Sequence, residues 1–188
     1  DKVYIWTGNA NVFPAIIKNV EDSMNIERDF KIADIRSIVM VEDNPRFYSI
    51  ILPLIYRTAL KHTRSLIDRS LSDTDRLLLF RARPKNLLAS SYEEAENIYK
   101  KYRNNILGFI SDIQFPLKGK IDQGAGLKLA EMIRKKDSDM PIVLQSTNIA
   151  HKEHAESINT AFIHKNSSSL LQDLKDFVTK NFGFGDFV

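Results

Sequence analysis

Residues 37–47 read SIVMVEDNPRF, an unbroken apolar run that stops abruptly at two carboxylates. SIVMV is strand-length and rich in β-branched side chains, and its continuity predicts a strand buried on both faces. Asn44 and Pro45 then offer an N-cap and a first helical residue. The stretch therefore reads as strand, acidic junction, helix.

Four similar runs follow, at 86–89 (NLLA), 106–111 (ILGFIS), 141–145 (PIVLQ) and 160–164 (TAFIH). Helical patterns separate them. The first helix would place Phe47, Ile50, Ile51, Leu54 and Thr58 on one face and kink at Pro53. Ser91 and Glu94 form a capping box for a helix over 92–103, and helices are predicted over 124–136, 168–180 and, more weakly, 150–158. SLSDTDRLLLFRARP reads as an insertion, with Ser72 or Asp73 capping a short helix that ends before Pro84. Strands alternating with helices imply right-handed crossovers and an α/β, doubly wound, five-stranded parallel sheet. KVYIW and the helical stretch 11–24 fall outside that count as a strand-helix extension. The expected organisation is an extension over 1–35 and a domain over 36–188 with a helical insertion near 62–84.

Composition narrows the function classes. The 188 residues are 43% hydrophobic and 27% charged, an ordinary globular balance. Without cysteine there is no disulfide framework and no thiolate zinc site, so a cytoplasmic setting is expected. The longest apolar stretch, Ile50 to Tyr56, is far short of the ~20 residues a membrane helix needs. A start at Asp1 without a signal-peptide pattern suggests a segment of a longer chain. A net charge of +3 does not imply polyanion binding. Arg57, Lys61, Arg64, Arg69, Arg76, Arg81, Arg83 and Lys85, and the stretch from Tyr99 to Arg103, read as solvated faces before nucleic-acid or acidic-partner sites.

The polar residues converge at one sheet edge. Glu42 and Asp43 end the first strand, Asp112 the third, Ser146 and Thr147 the fourth, and Lys165 the fifth. In an order 2-1-3-4-5 the topology reverses between the first and third strands, which brings Glu42, Asp43 and Asp112 together where such sheets bind ligands. Clustered carboxylates need a proton or a cation, and an oxygen-lined site suits Mg²⁺. A carboxylate can attack phosphorus to form an acyl phosphate while a cation stabilises the transferring oxygens, roles that suit Asp112 and Lys165.

These residues resemble the response-regulator receiver domains of two-component signalling across roughly residues 36–180. The resemblance implies the flavodoxin-like order 2-1-3-4-5, Glu42 and Asp43 as the acidic pair, Asp112 as phosphoacceptor, and the Gln114 backbone carbonyl as a further metal ligand. It also implies Ser146 as switch hydroxyl, Lys165 as phosphate-contacting lysine and Phe162 as the reorienting aromatic. More narrowly, VEDNPRFYS, RARPKNLLASSYEEA and NFGFGDF look like the receiver-like region of large proteins related to phosphoenolpyruvate synthase and pyruvate phosphate dikinase. On that likeness VYIWTGNA and its helix are the remnant of a preceding receiver-like unit.

The implied function is Mg²⁺-dependent phosphorylation of Asp112 by a histidine kinase or another phosphodonor, read out at a protein-binding surface. The chemistry would be no more than self-phosphorylation and autophosphatase activity. The partner would be a downstream protein domain, in the same parent chain or another, with a homodimer left open and no membrane or direct DNA contact. Two departures stand out: Asn166 follows Lys165 where receivers usually carry a cis proline, which supports a pseudo-receiver, and Thr147 follows Ser146 where Ala or Gly is common, which implies altered phosphotransfer or hydrolysis rates. The alternative is a phosphorylation-independent pseudo-receiver acting as a scaffold within a larger phosphoenolpyruvate synthase-like protein. A haloacid-dehalogenase-type phosphohydrolase ranks last, because Gln114 stands where that family needs a second Asp. His151 and His154 have helical spacing but no evident third ligand, and Gly124-Ala125-Gly126 reads as a helix start and not a dinucleotide loop.

Overall fold

The structure, a computed structural model, describes residues 2–6, 8–33, 35–68, 72–74 and 83–183. Arg69, Arg76, Arg81, much of the 62–84 insertion and the end of NFGFGDF lie outside the described residues. The elements in chain order are α1 (Val12–Ala33), β1 (Ser37–Val41), α2 (Pro45–Asp68), β2 (Lys85–Ala89), α3 (Tyr92–Tyr102), β3 (Ile106–Asp112) and the short β4 (Phe115–Leu117) and β5 (Lys120–Asp122). There follow α4 (Ala125–Arg134), β6 (Ile142–Ser146), α5 (His151–Ser157), β7 (Ala161–His164) and α6 (Leu170–Asn181). No helix of the described residues is long and apolar enough to cross a membrane.

The main sheet is parallel in the order β2-β1-β3-β6-β7, which is 2-1-3-4-5 when β4 and β5 are set aside. Those two strands pair antiparallel in a hairpin, Phe115 opposite Asp122 and Pro116 opposite Ile121. Every residue of β1 is buried, and its side chains divide by the two-residue strand period. Val39 and Val41 join Phe109, Leu144, Tyr99 and Ile133 beneath α3, α4 and α5. Ile38 and Met40 join Ile110, Val143, Ile51 and Leu174 beneath α2 and α6. Covered on both sides, the central strands need no polar face, hence the continuous apolar runs.

Helix starts follow their local signals. The Asn44 side chain accepts from the Arg46 N–H at 3.0 Å, and Ser91 Oγ accepts from the Glu94 N–H at 3.2 Å. Two expectations are corrected. α2 contains Pro53, and its buried apolar face is Tyr48, Ile51, Leu52, Ile55 and Ala59, turned about one residue from the expected stripe. Apolar residues surround this helix almost completely from Phe47 to Tyr56, so its contacts with α1 and α6 decide which of them face inward. KVYIW forms no strand either. Residues 2–6 lie across α2 and the end of β2, where the Ile5 N–H donates to Ser49 Oγ at 2.9 Å and Lys2 Nζ to the Leu88 carbonyl at 2.7 Å.

α1, longer than expected, docks on the β2 edge. The wholly buried Asp22 carboxylate accepts from Arg83 at 2.7 and 3.1 Å and from the Asn86 N–H at 2.9 Å. Lys85 Nζ lies 3.5 Å from Asp22 and 2.7 Å from Asp29. Asn19 Nδ2 donates to the Asn86 carbonyl at 3.0 Å. The backbone N–H and carbonyl of Asn86, outward on an edge strand, thus find partners on α1, which protects the edge from pairing with another chain.

Candidate phosphoacceptor and metal site

Each site residue sits at or just beyond a strand's carboxyl end. Glu42 and Asp43 follow β1, Asp112 ends β3, Ser146 ends β6 and Lys165 follows β7. The ladder sets their spacing: Val41 pairs with Ser111, Asp112 with Gln145, and Ser146 with His164. The Lys165 N–H donates to the Ser146 carbonyl at 2.8 Å, which extends that pairing by one bond.

Lys165 Nζ is 2.6 Å from Glu42 Oε2 and 2.6 Å from Asp112 Oδ2, all three residues being buried. The ammonium also lies 4.2 Å from the centroid of the Phe47 ring, a cation–π contact. The Lys165–Asn166 bond is trans, and the lysine reaches the carboxylates without a proline after it. Glu42 Oε1 accepts from the Asn44 N–H at 3.1 Å, and Asp112 Oδ1 from the Ile113 N–H at 2.7 Å.

Glu42, Asp43 and Asp112 each offer an oxygen within 4.8 Å of the others, the sole such metal-capable group among the described residues. One lysine opposes three carboxylates. Burial pushes Glu42 up to about 7, against the pull of Lys165 and with a push from Asp112. Burial likewise raises Asp43. An all-oxygen donor set with uncompensated charge fits a hard divalent cation. Glu42, Asp43 and Asp112 together could hold such an ion. Glu42 and Asp112 are alike here: one oxygen of each meets Lys165 and the other accepts a backbone N–H. Gln114 is exposed two residues after Asp112.

Folded Glu42 keeps a proton that the unfolded chain releases above pH 4.5, so metal-free stability falls as pH rises from about 4.5 to about 7 and levels above. Thermal midpoints of the wild type minus Glu42→Gln are expected to decline across that window, and less so in excess Mg²⁺. Parallel curves would show that Glu42 does not carry the charge imbalance.

Three neighbours of the site were not legible as such. Phe47 looked like core. His151 Nδ1 lies 3.1 Å from Ser146 Oγ, whereas His154 Nε2 meets Glu131 at 3.0 Å, so the histidines have separate partners. Gly126, in the first turn of α4, donates its N–H to the Ile113 carbonyl at 2.9 Å. A Cβ there would sit 2.1 Å from the Asp112 carbonyl oxygen and 2.8 Å from Ile113 Cα. Gly126→Ala is therefore expected to cost about 1–3 kcal/mol and to weaken Mg²⁺-induced stabilisation by displacing the Asp112 backbone. A variant with wild-type stability and Mg²⁺ response would mean that α4 moves aside freely. Phe162 is half-buried and packs beneath α3, α4 and α5.

No protein-family model matches the sequence, and no curated protein matches it. Solved structures do. A response-regulator receiver domain protein from Clostridium thermocellum superposes with a TM-score of 0.56 at 16% identity, covering 79% of this chain and 95% of its own. The fold is that of a receiver domain. The phosphorylated cyanobacterial phytochrome response regulator RcpA gives a TM-score of 0.53 at 17% identity over 80% of this chain and 96% of its own. A receiver protein from Sinorhizobium medicae WSM419 gives 0.50 at 18% identity over 80% and 96%. The receiver fold explains why acids from β1 and β3 and a lysine after β7 meet: all project from one edge of one sheet.

Proposed function

We propose that this chain is a working receiver, phosphorylated on Asp112 with Mg²⁺ as cofactor. The observation that carries the reading is Lys165 Nζ, 2.6 Å from both Asp112 and Glu42, beside an acidic group able to hold a cation. A carboxylate oxygen of Asp112 attacks phosphorus of a phosphohistidine or small acyl phosphate. The bond from phosphorus to the donor breaks, the leaving group takes its electron pair, and an aspartyl phosphate results. Mg²⁺, when bound, neutralises charge on the transferring oxygens. Lys165 exchanges its bond to the Asp112 carboxylate for one to the new phosphoryl group, and Ser146 donates its hydroxyl to another phosphoryl oxygen. Those two movements shift the ends of β6 and β7, and with them the surface formed by α5, β7 and α6, where a downstream protein domain would bind. The donor would be a histidine kinase, and the setting cytoplasmic.

Intact mass after incubation with acetyl phosphate and Mg²⁺ tests this. One added phosphoryl group is expected, absent without the metal and absent in Asp112→Asn. No adduct, together with no stabilisation by Mg²⁺, would leave the pseudo-receiver reading. Asn166 after Lys165 is the feature that favours that second reading, and a place within a larger phosphoenolpyruvate synthase-like protein rests on the local sequence likeness alone.

A further inference from the structure

Ser146 is 5% exposed, and its hydroxyl has two hydrogen-bonding neighbours of opposite kind. The Asn148 N–H donates to Ser146 Oγ at 3.0 Å, and a backbone N–H can only donate. The second neighbour, His151 Nδ1 at 3.1 Å, is the sole acceptor for the hydroxyl hydrogen among the described residues. A buried hydroxyl keeps its hydrogen bonded. With the imidazole hydrogen on Nε2, Nδ1 takes the Ser146 hydrogen, and holding the hydroxyl in this way requires that tautomer.

We infer that His151 is a positioning residue that latches the switch: in the resting chain it holds the Ser146 hydroxyl hydrogen away from Asp112, and phosphorylation must break that bond. The inference rests on the reading of Asp112 as phosphoacceptor. A hydroxyl has one hydrogen. It cannot be given to His151 and to a phosphoryl oxygen at once, so the two acceptors compete. His151 is the first residue of α5, and releasing it frees the start of the helix that borders the proposed output surface. The same bond thereby couples Ser146 to α5, with no further relay.

The test is a double-mutant cycle on the affinity for beryllofluoride with Mg²⁺, a mimic of the aspartyl phosphate, in wild type, His151→Ala, Ser146→Ala and the double variant. A single hydrogen bond contributes about 0.5–1.5 kcal/mol, so His151→Ala is expected to bind about 2–10-fold more tightly by RT ln K. With Ser146 replaced, the His151 change should have no further effect. His151→Asn, which retains a side-chain acceptor close to the backbone, should return toward wild type. Imidazole ¹⁵N spectra of the unaltered protein give a readout free of folding effects: Nδ1 should be unprotonated and hydrogen-bonded at rest and lose that bond on beryllofluoride addition. Unchanged or weaker binding in His151→Ala, an equal effect in the Ser146→Ala background, or a resting Nδ1–H would each overturn the latch. A wild type that takes up phosphoryl groups while His151 behaves in one of those ways refutes the latch alone. A wild type that binds neither phosphoryl group nor beryllofluoride refutes the receiver reading and the latch with it.

Discussion

Asp22→Ala is expected to destabilise the chain by about 3–5 kcal/mol, the usual consequence of removing one partner from a buried ion pair. Its carboxylate is wholly buried and receives Arg83, Lys85 and the Asn86 N–H. Without it Lys85 still has Asp29, whereas Arg83, among the described residues, retains the Pro84 carbonyl, the face of the Tyr56 ring and the longer-range charge of Glu21. Total stabilities of roughly 5–15 kcal/mol make such a loss a large fraction of the whole. Equilibrium urea unfolding measures it, and the paired change Asp22→Leu with Arg83→Met should recover most of the loss, because an apolar pair of similar bulk needs no counter-charge. A cost of Asp22→Ala within about 1 kcal/mol, the range of an exposed pair, would mean that α1 is held by apolar contacts alone.

Asp112→Asn is expected to abolish phosphoryl uptake altogether, since an amide oxygen is too weak a nucleophile to form the acyl phosphate. Two further effects follow from the geometry. Mg²⁺ would lose one of the three carboxylates able to hold it, so the thermal stabilisation by Mg²⁺ should shrink sharply. Asp112 is also one of the charges that raise Glu42. Its loss should move the metal-free stability decline attributed to Glu42 toward lower pH, because Lys165 would then face Glu42 alone. Stability against pH, with and without Mg²⁺, reads both effects. An adduct persisting in Asp112→Asn would place the acceptor on another side chain, and an unmoved pH profile would uncouple the two carboxylates.

The receiver architecture was legible because its signals are local or periodic. Continuous apolar runs mark strands covered on both faces, Asn44-Pro45 and Ser91-x-x-Glu94 mark helix starts, and each site residue follows directly on a strand. Once the strand order is inferred, topology alone collects Glu42, Asp43, Asp112 and Lys165 at one edge. KVYIW misled for the same reason: it has the composition of a strand, but a strand also requires a partner, and the β2 edge beside it is already occupied by α1.

What the amino-acid sequence determined by itself was the order of elements, the parallel sheet and the residues at its active edge, all of which depend on spacing along the chain. Tertiary structure alone decided the rest. The inward face of α2 was chosen by α1 and α6, because the helix is apolar nearly all round. The docking of α1 depends on Asp22 meeting Arg83, 61 residues away. Gly126 is required by the Asp112 backbone pressing against α4, and the sharing of Lys165 between two acids at 2.6 Å and the approach of Ser146 to His151 at 3.1 Å depend on how separate strands and helices pack. Residue spacing carries periodicity, whereas close approach and the sharing of one hydrogen or one charge among several acceptors arise only when separate elements pack.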